Sequence, residues 1–292
     1  MKYYLYWGCS LEASGANYLA SIKPVFAALN VKFVEIEDWN CCGASISYIG
    51  ANDLAIKVLN ARNLALAEAN GEYDIVAPCS SCYIQMTKVN HEIGEDRALA
   101  AKVNEILAEG GLSYKGTTKV RHLLDVLYND VGIERIREKV VKPLNGVKVA
   151  GYVGCQSVRP YGEYDSVERP IVHDLILEAL GAEPMEFPKK MRCCGSGIFL
   201  SEMEHCFSLV RDILDDAISH GAQLVSSVCP MCAMNLENYQ TRINKTFGTN
   251  FDIPVVYLTQ LMAVAFGMDL KKSAALNYNI IPPEGILKAA TG

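Results

Sequence analysis

Eleven cysteines occur among the 292 residues, and ten of them fall into two sets with one layout. A single cysteine comes first, Cys9 or Cys155. An adjacent pair follows inside Cys-Cys-Gly, with Cys41 and Cys42 before Gly43, or Cys193 and Cys194 before Gly195. A Cys-x-x-Cys closes each set, Cys79 and Cys82 or Cys229 and Cys232. The spacings are C-x31-C-C-x36-C-x2-C and C-x37-C-C-x34-C-x2-C. A trans peptide holds neighbouring Cα atoms about 3.8 Å apart, closer than the roughly 4.4–6.8 Å of a relaxed disulfide. Adjacent cysteines are therefore poor disulfide partners for each other and good candidates for binding metal. Soft thiolates select zinc, Cu(I) or iron–sulfur clusters. Four thiols complete a structural zinc site or an ordinary cluster. The fifth implies either one spare thiol in each half or a cluster less regular than a cubane. Zinc ribbons usually join two close pairs, whereas these sets draw on three separate loops. The spacing favours iron–sulfur and leaves zinc open.

The elements around these cysteines follow from hydrophobic periodicity. Residues 2–7, 31–36 and 73–77 read as strands, as do 147–153, 183–187 and 223–228 in the second half. Helical spacing runs over 14–29, 51–70, 171–180 and 200–219. It also marks a long stretch through Met86 and Val89 toward Leu107, and residues 120–128. Strands alternating with helices imply mainly parallel sheets in α/β domains. The expected architecture is two tandem, pseudo-symmetric α/β domains over residues 1–145 and 146–270, with a tail at 271–292. The linker is expected at 139–146, which holds Pro143 and Gly146. Sites in open α/β sheets gather at the carboxyl ends of strands. Every cysteine loop comes after a strand, so five thiols from each half can meet at one sheet edge.

Composition removes several function classes. A net charge of −6 argues against nucleic acid, whose binding depends on Lys and Arg at phosphates. No apolar run approaches the roughly 20 residues a bilayer requires, and residues 1–7 lack the features of a secretory signal. A cytoplasmic protein is expected. No C-x2-C-x2-C-x3-C run marks a ferredoxin cluster, and no G-x-G-x-x-G marks a dinucleotide, so electrons would have to come from a partner. Cys206, outside both sets, reads as a small buried hydrophobe. His173, in the helix after Cys155, reads as structural, and Tyr152 and Tyr161 carry no assigned role.

The doubled cysteine pattern resembles the CCG domain found in the B subunit of heterodisulfide reductase from methanogens, over both halves and nearly the full length. The resemblance implies two noncubane 4Fe-4S clusters. One would be held by Cys9, Cys41, Cys42, Cys79 and Cys82, the other by Cys155, Cys193, Cys194, Cys229 and Cys232. It implies reduction of the mixed disulfide of coenzyme M and coenzyme B, lying between the clusters, to the two thiols. It also implies, as direct partner, a ferredoxin-like C subunit, then a flavin-bearing A subunit, with a hydrogenase or formate dehydrogenase behind them. Such a substrate carries sulfonate, phosphate and carboxylate, and the halves differ in cations. Glu37-Asp38-Trp39-Asn40 precedes the first Cys-Cys-Gly and Lys189-Lys190-Met191-Arg192 the second. Arg192, Lys189 and Arg159 are candidate anion contacts, and Gly43 and Gly195 are places where a ligand can approach the backbone. The rivals are a CCG-domain electron carrier of a lactate, glycolate or fumarate complex, and a zinc-stabilised scaffold.

Overall fold

A computed structural model describes residues 1–71 and 73–291; Gly292, the last residue of the expected tail, lies outside them. Strands β1 (Lys2–Leu5), β2 (Lys32–Glu35), β3 (Ile75–Ala77) and β4 (Val120–His122) form a parallel sheet in the order β2-β1-β3-β4. Strands β5 (Lys148–Tyr152), β6 (Glu183–Pro184), β7 (Leu224–Ser227) and β8 (Val255–Tyr257) repeat it as β6-β5-β7-β8. The interior strand β3 is buried along its whole length, and so is β7. Their unbroken burial is what parallel strands covered on both faces require.

The crossover helices repeat as well. Ala16–Ala28 joins β1 to β2, and Val172–Ala179 joins β5 to β6. Asp53–Asn70 and Met203–Ser219 lead to the third strand of each sheet. Ser80–Glu95 with Arg97–Glu109, and Pro230–Asn238 with Gln240–Phe247, lead to the fourth. The fold is thus two tandem α/β units of one topology.

Two expectations need correction. Residues 120–128 are not one helix: β4 comes first, followed by a short α-turn, Leu123–Asp125, and a π-turn, Val126–Val131. A three-residue strand is too short to display alternation, and the following Leu123 and Leu124 supply a helical period. The long helical stretch toward Leu107 is two helices broken at Asp96, whose extended backbone ends the first. Its carboxylate caps the second by accepting from the amides of Ala98 and Leu99, the usual N-cap arrangement.

The halves pack through reciprocal contacts. Helix Ala16–Ala28 lies against Leu258–Ala265, with the Ser21 and Thr259 hydroxyls 2.6 Å apart. Helix Val172–Ala179 lies against Ile133–Glu138. Tyr18, nine residues after Cys9, stacks on Tyr257 with ring centres 4.1 Å apart. Tyr164, nine residues after Cys155, stacks on His122 at 5.6 Å. Each stacked pair joins one half to the other. Residues 271–291 lie on the second half, where the Gln260 amide donates to the Ala274 carbonyl and Asn279 donates to that of Val255.

Candidate metal centre

Each quintet is assembled at the carboxyl end of its sheet, as the loop positions require. Gly8 and Gly154 turn the chain out of β1 and β5 in the left-handed region, at φ +67° and +72°. A Cβ on Gly8 would lie 3.1 Å from Cys82 Sγ, and one on Gly154 3.5 Å from Cys232 Sγ. The bare backbone therefore lets the first loop close on the thiols of the third. Cys79 and Cys229 stand at the N-caps of helices Ser80–Glu95 and Pro230–Asn238, with Cys82 and Cys232 in the first turns. The positive end of a helix favours thiolate over thiol.

The adjacent pairs are fixed by matching contacts. Tyr6, three residues before Cys9, donates to the carbonyl of Asn40 at 2.7 Å, just ahead of Cys41. Tyr152, three residues before Cys155, donates to the carbonyl of Arg192 at 2.5 Å, just ahead of Cys193. The Gly43 amide donates to Cys41 Sγ at 3.5 Å, and the Gly195 amide to Cys193 Sγ at 3.3 Å. Asn60 donates to the Cys42 carbonyl and Asn235 to that of Cys194. Gly43 and Gly195 are both left-handed, at φ +72° and +79°. A Cβ there would meet Ile56 Cδ1 at 2.8 Å or Cys206 Sγ at 3.1 Å, so the helix behind each loop also requires glycine.

The thiols come together within and between the sets. Cys41 lies 3.5 Å from Cys9 and Cys42 3.4 Å from Cys82; Cys194 lies 3.5 Å from Cys232. Across the halves, Cys79 Sγ lies 3.9 Å from Cys229 Sγ. All eleven cysteines are free thiols. Packed so closely, they cannot all ionise, because each thiolate raises the cost of the next. Hydrogen bonds from Cys42 and then Cys9 pull Cys41 down to about 2, while Cys42 is pushed up to about 12 by Cys41. The hydrogen bond from Cys155 lowers Cys193 to about 6 and raises Cys155 in turn. Cys229 is held low by Cys232 and then Cys79, whose own thiols are raised. Thiols packed in this way are a donor set for a soft cation, which would take the charge the neighbours refuse. Among the described residues, no three His, Cys, Asp or Glu side chains close around a single ion position; the sulfurs approach in pairs.

The cations are less uniform. Arg192 is 47% exposed, with Asp212 3.8 Å away. Arg159 donates through Nε to the Val167 carbonyl at 2.9 Å, and the Lys189 amide donates to Asp216. Their neighbour Lys190 is buried and paired with Asp174 at 2.5 Å. Cys206 is fully buried, as expected, and its thiol reaches the Cys194 carbonyl at 3.5 Å. His173 is buried and donates to or accepts from Ser226 at 2.9 Å. Sequence reasoning missed Tyr6, Asn60 and Asn235. Tyr6 had a signal, since it stands where Tyr152 stands in the other half.

The fold and the paired thiol groups define a tandem α/β protein with one cluster of five cysteines per half. The chain belongs to the CCG family of cysteine-rich domains, whose profile matches residues 3–87 and 149–237. It is 36% identical to a Wolinella succinogenes protein named 8-methylmenaquinol:fumarate reductase membrane anchor subunit, over 94% of this chain and 95% of that one. It is 33% identical to an Archaeoglobus profundus protein named as like the B subunit of heterodisulfide reductase, over 99% and 97%. It is 30% identical to the B subunit of the Methanosarcina acetivorans ferredoxin/F(420)H(2)-dependent CoB-CoM heterodisulfide reductase, over 91% and 89%. The resemblance to the B subunit of heterodisulfide reductase thus extends over most of the chain. A hypothetical protein from Helicobacter pylori has the same fold, with a TM-score of 0.77 at 16% identity. That match covers 96% of this chain and 52% of the other. Among the described residues no helix is long and apolar enough to cross a membrane.

Proposed function

We propose that the protein is the iron–sulfur subunit of an oxidoreductase complex that reduces the mixed disulfide of coenzyme M and coenzyme B to two thiols. Residues 1–145 and 146–270 would each carry one noncubane 4Fe-4S centre on the five thiols of that half, with 271–292 as a tail. The observation that carries this reading is the 3.9 Å approach of Cys79 Sγ to Cys229 Sγ, which turns the two quintets toward each other. Relatives named for the B subunit of heterodisulfide reductase support it. Cleaving a disulfide takes two electrons, and iron–sulfur clusters supply them one at a time.

The chain's own residues bind and orient. Tyr6, Tyr152 and the amides of Gly43 and Gly195 hold the adjacent cysteines in register. Arg192, being exposed and next to Cys193, is the leading contact for the substrate's anionic groups, with Lys189 and Arg159 further candidates. The backbone at Gly43 and Gly195 is the proposed close approach. Electrons would come from a ferredoxin-like partner protein, which a flavin-bearing one would supply in turn.

Anaerobically prepared protein is expected to carry iron and acid-labile sulfide in amounts that fit two clusters; zinc without sulfide overturns the metal assignment. The assembled complex with reduced viologen is expected to consume the mixed disulfide, and no turnover overturns the substrate. Losing a charge-assisted hydrogen bond costs about 1.5–3 kcal/mol, so Arg192→Ala should raise KM at least about tenfold with iron content unchanged.

The Wolinella succinogenes relative favours a second reading, an electron-transfer subunit serving a fumarate-reducing enzyme. Metal-loaded complex that reduces fumarate and leaves the disulfide untouched would select it.

A further inference from the structure

The two halves repeat in fold and in thiols, but the residues beside the two quintets differ. Six residues after Cys42 stands Tyr48; six after Cys194 stands Leu200, 79% exposed. Tyr48 belongs to the first half yet reaches the second. Its ring lies against Gly197, where a Cβ would come within 2.7 Å, and its hydroxyl bonds to the side-chain amide of Gln156. Gln156 follows Cys155 directly. Ser81, between Cys79 and Cys82, donates to Gln156 Oε1 at 2.6 Å. The corresponding positions in the other arrangement are Ser10 for Gln156 and Met231 for Ser81. They cannot build the same chain, because methionine has no comparable donor.

The direction of the hydrogen bonds matters. Because Ser81 donates to Oε1, the Gln156 amide is oriented with Nε2 toward Tyr48. The phenol oxygen therefore accepts, and its own proton has no acceptor among the described residues. Tyr48 lies within electrostatic reach of Cys155, Cys193 and Cys229; burial, against the lowering hydrogen bond from Gln156, holds its phenol at about 12, so it remains protonated. Its 40% exposure lets water restore a proton once given.

We propose that the Tyr48 hydroxyl donates a hydrogen bond, and then a proton, to the substrate sulfur that lies beside Cys155 and Cys193. This rests on the disulfide-reducing function above. In the overall step the S–S bond takes up two electrons from the partner's iron–sulfur carrier and two protons, and two S–H bonds form. Tyr48 supplies one proton and recovers it from solvent, and solvent supplies the second to the other sulfur. An unsymmetrical disulfide would be oriented by this difference, since the first half places Tyr48 where the second half has Leu200.

Tyr48→Phe keeps the ring on Gly197 and removes only the oxygen. In the cluster-loaded complex, iron content and Tm should match wild type, while kcat falls about a hundredfold, as for the loss of one general acid. Without turnover, calorimetric titration of the oxidised protein with 2-mercaptoethanesulfonate should give an affinity about fivefold weaker, from one lost hydrogen bond. Gln156→Leu leaves the hydroxyl but frees it, and should fall between the two. Thiol affinity and kcat both within twofold of wild type in Tyr48→Phe overturn the inference. A wild-type complex that neither binds the thiol nor reduces the disulfide overturns the function instead.

Discussion

A thiol beside a thiolate keeps its proton unless a cation takes the proton's place. Cys41 and Cys193 ionise at the expense of Cys42 and Cys155. Metal binding should therefore release protons and weaken steeply as pH falls. Cys206 is chemically the same residue in a different setting. It is buried behind Gly195, with Asn235 Nδ2 3.2 Å from its sulfur, and burial raises its thiol to about 11. As a packing residue it should cost about 1 kcal/mol on truncation and nothing in metal. Cys206→Ala is expected to keep the full iron content with a slightly lower Tm, whereas Cys194→Ala loses iron from the second half. Equal iron loss in both variants would mean that Cys206 is a ligand.

At the scale of elements, the turn from first strand to first cysteine sets how closely the loops can approach. Gly8 and Gly154 both need the left-handed region, which costs a residue with a Cβ about 1–2 kcal/mol. The space around them differs. At Gly8 an added Cβ would lie 3.1 Å from Cys82 Sγ and 3.2 Å from the Tyr6 ring; at Gly154 the nearest contacts are 3.4 Å and 3.5 Å. Gly8→Ala should displace a ligand of the first half and lower iron by up to one cluster, while Gly154→Ala lowers stability and keeps both. Iron analysis with melting curves separates the two, and equal iron in both variants would contradict the steric account. Much of this was legible beforehand. Strands ending in Gly-Cys, Cys-Cys-Gly after the second strand and Cys-x-x-Cys after the third place the thiols from spacing alone. The fourth strands were not legible, because Val120–His122 and Val255–Tyr257 are three residues each and run into helices. Gln156 and Tyr48 were hidden for another reason: their contact joins residues 108 apart in the chain, and no local period records it.

For the whole molecule, the junction between halves is where acid should act. His122 is fully buried there; Tyr164 of the other half and the Leu124 amide face its Nδ1, and Ser80 faces its Nε2. Ser80 in turn meets Ser157 of the second half at 2.8 Å. Burial lowers His122 to about 4, against the pull of Cys229 and Asp125. His173 falls to about 3 through burial and then the charge of Lys190. Both are neutral in the fold and charge near 6.5 when it opens. Their contribution is therefore complete above pH 6.5 and is lost as pH falls toward 4, by up to about 1.4 kcal/mol per pH unit for each histidine. The carboxyls of half-buried Asp174 and buried Glu237, raised by desolvation, act in the opposite sense, and they are unchanged in a His122 variant. Comparing urea unfolding of wild type and His122→Gln from pH 7.5 to 5 isolates the His122 share. The wild-type curve should lose stability more steeply, by the slope of one proton. Parallel curves would mean that His122 already carries its charge in the fold, and that the junction tolerates a cation packed among Tyr83, Tyr164 and Ser80.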